Sequence, residues 1–336
     1  MGEMIGKQSV KFAEAPYIFE GASVVGPKEG EGPLGKLFDV IEQDPMLGSK
    51  SWEEAESLLQ KETVQKLLLK SGLRKEDIRY IFAGDLLGQL IATTFGIMDY
   101  EIPFMGLYGA CSTMGEGLSL AAMMVAAGYG ENVIAMASSH FGSAERQFRF
   151  PLEYGNQRPF SATWTVTGCG AAIVTKRKGF ARITGVTTGK IIDYGVKDAQ
   201  NMGACMAPAA ADVIYNHLND FGTAPDDYDK IITGDLGYVG QAILIDLLKR
   251  KGIDISKVHM DCGIEMFDKE NQDTHSGGSG CGCSATVLTS YVFKQLKKKA
   301  WKKILFIPTG ALMSPISFNQ GKSVPGIAHL VVIENV

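Results

Sequence analysis

The chain has 336 residues, of which 45% are hydrophobic and 21% are charged, and its formal net charge is −4. These values exclude a disordered tail, a collagen and a disulfide-rich mini-protein, and the length suits two or three ordinary units or one large duplicated domain. The net charge is slightly negative, whereas a dedicated nucleic-acid-binding protein usually has an excess of basic residues, so we expect no nucleic-acid partner.

The six cysteines do not form a disulfide framework, because all but the Cys281/Cys283 C-x-C pair are scattered. A reducing compartment is the simplest interpretation. The N-terminus lacks the apolar core of a secretion signal. The most apolar stretch, 102–130, contains Glu116 and many small polar residues, which favours a buried helix over a membrane span. We therefore expect no signal peptide and no transmembrane helix.

Taken in chain order, the first 50 residues are predicted to be irregular apart from a short strand near Val10–Phe12. A helix is predicted at about 51–71, where apolar residues recur at helical spacing and Gly72 ends the pattern. The later predicted elements are a buried strand ending at Ala83, a helix over 112–129, a buried strand over 132–139, a helix over 209–220 and a strand within 302–310.

The order of these elements recurs along the chain. Gly-Asp-Leu appears at 84–86 and again at 234–236, each time after a short apolar segment. Ala-Cys-Ser and Gly-Cys-Ser each open an apolar helix that runs into a buried strand. Chance similarity of two generic α/β segments is the alternative. We predict an internal duplication, with an N-terminal half at 1–180 (connecting region about 141–165) and a C-terminal half at 181–336.

Several polar residues follow predicted strands. Asp85, Asp235, Cys111 and the Ser139-His140 pair all lie just after strands or at helix starts. Because ligands bind beyond the carboxyl ends of strands in such folds, these residues are candidates for one shared site. For the two aspartates, capping of the following backbone turn is an equally good interpretation.

Cys111 lies in a Gly/Ser-rich turn directly before a predicted helix. The unpaired N–H groups and positive dipole end of a helix N-terminus lower a thiol pKa and can hold an oxyanion or a carboxylate. A small buried cysteine at a tight turn is the structural alternative.

The run from 104 to 139 resembles the nucleophile segment of thiolases and β-ketoacyl synthases, and 158–177 resembles the strand after their connecting region. The resemblance implies an α/β, thiolase-like fold with two duplicated halves in α-β-α-β-α layers. Those enzymes pair the cysteine with a histidine, where this chain has Asp235. Their next partner falls at Ser279 or at nearby His275. A carboxylate raises the pKa of a neighbouring thiol and is a poor proton acceptor at this position. We therefore expect that the set of residues needed for condensation is incomplete in this chain.

A narrower resemblance rests on LYGACSTMGEGLSL, SSHFGSAERQFRFPLEYG, MAPAAAD, TGDLG and GGSGCGCSA. These segments are similar to those of the stage V sporulation protein AD family. The resemblance implies a non-catalytic protein that binds dipicolinic acid (pyridine-2,6-dicarboxylate), free or as its calcium chelate, for uptake into the forespore and release at germination. It further implies a peripheral position at the spore inner membrane, membrane-protein partners from the stage V sporulation A operon, and a homodimer.

Dipicolinate is a planar dianion, which requires oriented donors and positive charge. The expected donors are Ser112 and Thr113, and the expected positive side chains are His140, Arg146 and Arg149, although the arginines also suit a surface or a dimer contact. Asp85 and Asp235 would meet a calcium ion carried by the ligand. The predicted ligand-binding set is Cys111, Ser112, Thr113, Asp85, Ser139, His140, Arg146, Arg149, Asp235 and Ser279.

Two further interpretations stay open. An active acyltransferase would use Cys111 as a catalytic nucleophile, and a pure scaffold would only hold membrane partners. No resident metal or other cofactor is expected, because the C-x-C pair lacks the partners of a zinc site. The basic run at 294–303 is interpreted as a solvated helix end that would touch acidic lipid or a partner in the less favoured case.

Overall fold

The computed structural model describes residues 2–148 and 157–336, without the side chain of Phe148. Its strands are β1 (Gly2–Ile5), β2 (Ser9–Phe12), β3 (Tyr17–Val25), β4 (Val40–Ile41), β5 (Tyr80–Gly84), β6 (Phe104–Gly106), β7 (Asn132–Ser139), β8 (Trp164–Thr165), β9 (Gly168–Thr175), β10 (Ala181–Thr187), β11 (Lys230–Thr233), β12 (His259–Asp261), β13 (Gly278–Ser279), β14 (Lys303–Ile307), β15 (Thr309–Ala311), β16 (Gly326–Ala328) and β17 (Leu330–Asn335).

The helices are α1 (Pro27–Gly30), α2 (Trp52–Ser71), α3 (Ile91–Ile97), α4 (Thr113–Ala126), α5 (Phe141–Phe148), α6 (Met202–Phe221), α7 (Gly237–Lys249), α8 (Cys262–Met266), α9 (Cys281–Val287), α10 (Phe293–Lys297) and α11 (Pro315–Asn319). A π-helical turn, Leu288–Val292, joins α9 to α10. Single 3₁₀ turns lie at Gly35–Leu37, Lys75–Asp77, Gly88–Leu90, Met98–Tyr100, Ala110–Ser112 and Pro225–Asp227.

The main sheet repeats one strand arrangement twice. From its centre outward, one side runs β3-β9-β7-β5-β6 and the other runs β10-β17-β14-β11-β12. On both sides the last three strands pair in parallel and the first two pairings are antiparallel. The two sides meet where β3 pairs antiparallel with β10. This matching order confirms the predicted α/β fold of thiolase-like type.

Helices cover the sheet on both faces and fill its centre. The central helix α4 packs against β5, β7 and β9 of the first side and against β17 of the second, and α9 packs against β3, β7 and β9. Every residue of α9 is buried. Helix α2 covers β3 and β9 from outside, while α6 and α7 pack together over the second side. The result is the layered arrangement expected for this fold.

Local signals explain why α2 has its observed limits. Ser51 caps its start by accepting a 3.2 Å hydrogen bond from the backbone N–H of Glu54. Gly72 ends it in the left-handed conformation, with φ of 67°. Such a polar cap and glycine stop agree with the helix predicted at about 51–71.

Two sequence predictions differ from the structure. The first 50 residues contain β3, a long strand at the centre of the sheet, where an irregular segment was expected. Helix α6 begins at Met202, well before the predicted start at 209, and contains Pro208 in its first two turns. An Asn201 side chain accepts a 3.3 Å bond from the N–H of Ala204 and so supports this earlier start.

None of the helices within 2–148 and 157–336 is long and apolar enough to cross a lipid bilayer.

Candidate functional site

A cavity of about 500 Å³ opens between the two halves, beyond the carboxyl ends of their parallel strands. Most of the described residues that line it are apolar or small: Leu86, Tyr108, Ala110, Cys111, Ala144, Met202, Gly280, Ala311, Leu312, Met313, Pro315 and Ile316. The polar lining residues are Glu145, Gln147, Thr165, Ser279 and Ser314. An apolar cleft with a few convergent polar groups is the usual form of a small-molecule site.

Asp235 lies fully buried directly behind the cavity wall. Ser279 donates a 2.7 Å hydrogen bond to its Oδ2, and the N–H of Gly280 donates to the same oxygen at 3.0 Å. Thr309 donates to Oδ1 at 2.8 Å. Burial raises the pKa of Asp235 to about 6, although these hydrogen bonds favour its charged form.

The turn that carries Cys111 is held in an unusual backbone conformation. Ala110 has a φ of 51°, in the left-handed region that L residues rarely adopt. Gly310 fits closely against this turn, since a Cβ at that position would lie 2.6 Å from the carbonyl oxygen of Gly109. Cys281 donates from Sγ to the carbonyl of Ala110 at 2.9 Å. The second half of the molecule therefore holds the cysteine turn of the first.

The thiol of Cys111 lies close enough to the buried carboxyl of Asp235 for the two groups to influence each other's protonation. Burial, followed by the nearby charge of Asp235, raises the pKa of Cys111 well above its ordinary value. The position of Cys111 at a helix N-terminus predicts a lowered pKa instead. That prediction is wrong, because desolvation and a carboxylate both disfavour the thiolate, and they outweigh the dipole of the helix.

Ser279 reaches the cavity through a short parallel pairing of β13 with β8. Gly280 follows it with a φ of 103°, and a Cβ there would lie 2.5 Å from Oγ of Ser139. Only glycine fits this position while aiming its N–H at Asp235. His275, the alternative to Ser279, instead bonds through Nδ1 to the carbonyl of Pro159 at 2.9 Å and does not line the cavity.

Asp85 lies at the strand end that corresponds to Asp235, but it is used within its own loop. It accepts a 2.8 Å bond from the N–H of Leu87 and bonds of 2.8 and 2.5 Å from the N–H and hydroxyl of Thr93. Asp85 does not line the cavity. The loop-capping interpretation therefore describes its observed contacts, and it does not join Asp235 in one site.

Ser112 and Thr113 do not offer their hydroxyls to the cavity as donors. Ser112 donates to the carbonyl of Gly109 and Thr113 to that of Ala110, each at 2.7 Å. Ser139 likewise donates to the carbonyl of Val166 at 2.7 Å. All three hydroxyls are bound to backbone carbonyls, so they stabilise the turns around the cavity instead of facing it.

Two of the expected positive side chains, His140 and Arg146, are not among the described residues that line the cavity. His140 bonds through Nε2 to the carbonyl of Pro45 at 2.7 Å, and burial lowers its pKa, so it is a neutral structural group. Arg146 is exposed and forms an ion pair with Glu53. Arg146 therefore contacts Glu53 and does not line the cavity, where the sequence predicted a ligand contact. Arg149 lies outside the described residues.

Other residues at the site were not anticipated from the sequence. Thr165 and Glu145 line the cavity, and Thr165 donates to Oε1 of Glu145 at 2.8 Å. Thr309 completes the contacts of Asp235. The segment 312–316 forms one wall of the cavity. The sequence signal that could have indicated Thr309 is Pro-Thr-Gly after a buried strand. It places a hydroxyl at the end of a strand, as Gly-Asp-Leu places a carboxylate at the end of another.

Within the described ranges there is no group of three or more His, Cys, Asp or Glu side chains arranged to hold a metal ion. The C-x-C cysteines are both buried, and each thiol donates to a backbone carbonyl.

Comparison with known proteins identifies the family of this chain. The family profile described as stage V sporulation protein AD (SpoVAD) matches residues 6–334. Stage V sporulation protein AD of Bacillus subtilis (strain 168) is 42% identical over 332 residues, which are 99% of this chain and 98% of that protein. This chain belongs to the stage V sporulation protein AD family. Its role is therefore in sporulation.

Solved structures with the same fold are condensing enzymes and acyltransferases. 3-Oxoacyl-[acyl-carrier-protein] synthase III of Aquifex aeolicus VF5 has a TM-score of 0.58 and 12% identity, covering 95% of this chain and 99% of that one. The acyltransferase ChlB3 has a TM-score of 0.59 and 14% identity over 96% and 98% of the two chains. AbyA1, a tetronic acid condensing enzyme, has a TM-score of 0.58 and 16% identity over 95% and 99%. At such identities they show that the stage V sporulation protein AD family shares their fold.

Proposed function

We propose that this sporulation protein binds dipicolinic acid in the cavity between its halves, without reacting with it, for uptake into the forespore and release at germination. The observation that carries the proposal is the position of Cys111 beside the buried carboxyl of Asp235 at the cavity between the halves. A thiol in that setting stays protonated, and no histidine is among the described residues lining the cavity to accept its proton. This chemistry supports binding without catalysis.

The charge of the cavity favours the calcium chelate over the free dianion. Glu145 lines the wall, and Asp235 lies directly behind Ser279. A bare dicarboxylate would meet these acidic groups with no basic side chain among the described lining residues to offset them. The one-to-one calcium chelate carries no net charge, and its calcium prefers oxygen ligands such as those of Glu145 and Ser279. Calcium is thus cargo that arrives with the ligand.

We further propose that the protein acts peripherally at the forespore inner membrane, beside membrane proteins of the stage V sporulation A operon. Membership in the stage V sporulation protein AD family supports this assignment. The described helices include none that would insert by itself, so contact with the bilayer would run through the surface or through such partners.

A homodimer is proposed through the first half. Strand β6 ends the sheet, and its residues are exposed. Leu107 donates its N–H to the carbonyl of Ala83, and Ile81 donates to that of Pro103. Because strand N–H groups alternate in direction, those of Phe104 and Gly106 point to the free edge of the sheet. Such an edge accepts a second copy as an added antiparallel strand.

The direct test is calorimetric titration with dipicolinate, with and without calcium. We expect saturable binding that is stronger with calcium, and at least tenfold weaker in Cys111→Ala and Thr165→Val. Arg146→Ala is the matched control, since this exposed side chain pairs with Glu53 away from the cavity, and its binding should stay within twofold of wild type. Benzene-1,3-dicarboxylate has the same charge but lacks the ring nitrogen that chelates calcium, and it should not bind.

Two outcomes would redirect the assignment. Absence of binding with and without calcium would refute the proposal. A mass increase on Cys111 after incubation with acyl thioesters of varied length would establish an acyltransferase instead. Arg149→Gln tests the remaining predicted arginine in the same titration.

A further inference from the structure

One end of the molecule carries a concentrated group of basic side chains, here called the basic face. It consists of Lys176, Arg177, Lys178, Lys298, Lys299 and Lys302, all of which are exposed. The chain as a whole has a net charge of −4. A cluster of six positive charges produces a strong positive potential at this end of the molecule. The negative net charge of the chain does not account for such a cluster.

Backbone contacts bring the two segments of the basic face together. Asn335 donates from its side chain to the carbonyls of Phe180 and Leu296, at 3.4 and 2.6 Å, and from its N–H to the carbonyl of Lys302 at 2.8 Å. Lys297 lies over the ring of Phe180, 4.7 Å from its centroid. The end of β17 therefore joins the turn before β10 to the turn before β14.

Several acidic groups near the basic face are already engaged, whereas Glu131, whose backbone carbonyl accepts the N–H of Lys176, is exposed. Glu20 pairs with Lys70 and Lys297. Glu334 pairs with Arg182 and Lys303, Asp77 pairs with Arg74, and Asp229 accepts the backbone N–H groups of Lys302 and Lys303. Within 2–148 and 157–336, none of the six side chains of the basic face forms an ion pair of its own. The structure thus leaves these positive charges available to an external anionic surface.

An aromatic ring lies among the lysines. Trp301 is only partly buried and packs edge-on against Tyr291, with ring centroids 5.5 Å apart. Lysines flanking a partly exposed tryptophan match the chemistry of a lipid headgroup region, where indole rings and cationic side chains both concentrate. An acidic protein surface would pair with the lysines, but it would not offer Trp301 the headgroup region that indole rings favour.

We propose that the basic face docks on an anionic lipid bilayer. Lys302 directly precedes β14, whereas the cavity lies beyond the other end of this parallel strand, at Ala311. A protein docked in this way presents its cavity mouth away from the bilayer, toward solvent or toward a partner. The inference rests on the membrane location proposed above and is independent of the ligand.

The test is co-sedimentation of the full chain with vesicles of phosphatidylglycerol and phosphatidylcholine, against vesicles of phosphatidylcholine alone. Wild type should bind only the anionic vesicles, and about 0.5 M salt should release it. Removing four charges together, by Lys178→Gln, Lys298→Gln, Lys299→Gln and Lys302→Gln, should weaken binding by more than tenfold, since each basic residue at a membrane contributes roughly fivefold.

The matched control removes the same number of charges from exposed lysines outside the basic face. Lys50→Gln, Lys197→Gln, Lys269→Gln and Lys322→Gln should leave vesicle binding unchanged. Equal loss in the two quadruple variants would show a general charge effect and overturn the proposal. Failure of wild type to bind anionic vesicles would overturn it too. The dipicolinate titration reports ligand binding separately, so either proposal can fail alone.

The three tryptophans report the orientation. Trp52 packs near His140 and Trp164 directly precedes Thr165 of the cavity wall, so both lie at the cavity end, opposite Trp301. Vesicles with brominated acyl chains should quench the wild-type fluorescence. In Trp301→Phe this quenching should disappear while sedimentation with the vesicles continues. Quenching that persists in Trp301→Phe would place a different surface on the bilayer.

Discussion

Ser279 donates a 2.7 Å hydrogen bond to Oδ2 of Asp235, and this contact joins two segments of the second half at the floor of the cavity. The same oxygen accepts the N–H of Gly280, and Thr309 donates to the other oxygen. The pKa of Asp235, about 6, lies below the raised pKa of the Cys111 thiol, so transfer of the thiol proton to this carboxylate is unfavourable. Asp235 is therefore better suited to hold the cavity wall than to act as a base.

Asp235→Ala should destabilise the fold more than Asp235→Asn. Alanine leaves the Gly280 N–H buried without an acceptor, whereas asparagine keeps one carbonyl oxygen for it and can donate to Thr309 instead. We expect the free energy of unfolding to fall by about 2–4 kcal/mol for alanine and by about 1 kcal/mol for asparagine. Urea denaturation measures both. Exposed Asp226→Ala is the control, and equal losses at positions 235 and 226 would contradict this account.

Stability should decrease as pH rises from about 6.5 to 8.5. Burial raises the pKa of Glu56 to about 8 and that of Glu29 to about 7, so the folded state holds protons that the unfolded state has lost. In this window the unfolded state binds fewer protons, and stability falls with pH until the folded pKa values are passed. Below pH 6.5, His217 and His259 make stability rise with pH. Burial lowers their pKa values to about 3 and 4, so in this range the unfolded state binds more protons than the folded state.

Glu56→Gln isolates the largest part of that effect. Glu56 accepts hydrogen bonds from Ser138 and Ser143, at 2.8 and 2.7 Å, and glutamine has nearly the same shape. The variant should lose about 2 kcal/mol of the pH dependence between pH 6.5 and 8.5, as judged by urea denaturation at several pH values. An unchanged slope would mean that Glu56 is already ionised in the folded protein.

The duplicated fold was predictable because its signals are local. Short apolar strands, glycine stops and the recurring Gly-Asp-Leu all lie within a few residues of the element they define. Strand β3 was missed because Glu20 and Gly21 interrupt its apolar run. In the structure Glu20 forms ion pairs with Lys70 and Lys297. These tertiary contacts allow a charged residue, which is unfavourable in a central strand, to be accommodated there.

The site was predictable only in part, for a related reason. Cys111, Asp235 and Ser279 were found because each follows a strand or opens a helix. The sequence could not show that Thr309 contacts Asp235 or that 312–316 closes one wall, since these depend on how distant segments pack. Nor could it show that Arg146 turns toward Glu53, which lies 93 residues earlier in the chain.

Cys111 should react slowly with iodoacetamide. Burial and the charge of Asp235 raise its thiol pKa, so little thiolate is present at neutral pH. We expect alkylation at least about tenfold slower than that of a free thiol, followed by mass spectrometry of the Cys111 peptide. Asp235→Asn should accelerate it, while Cys169, which is fully buried, reports global opening. Rapid alkylation of wild-type Cys111 would restore the nucleophile hypothesis.

Met105→Glu should weaken the proposed homodimer. Met105 is exposed at the centre of β6, and a glutamate there places like charges close together when two such edges pair. Sedimentation velocity over a range of concentrations should show a dimer for wild type and a dissociation constant raised at least about tenfold in the variant. Leu69→Glu, at an exposed apolar position on α2, introduces the same charge away from this edge and should leave the dimer intact. A dimer that persists in Met105→Glu would place the interface on another surface, because unrelieved repulsion between the two glutamates is incompatible with pairing along β6.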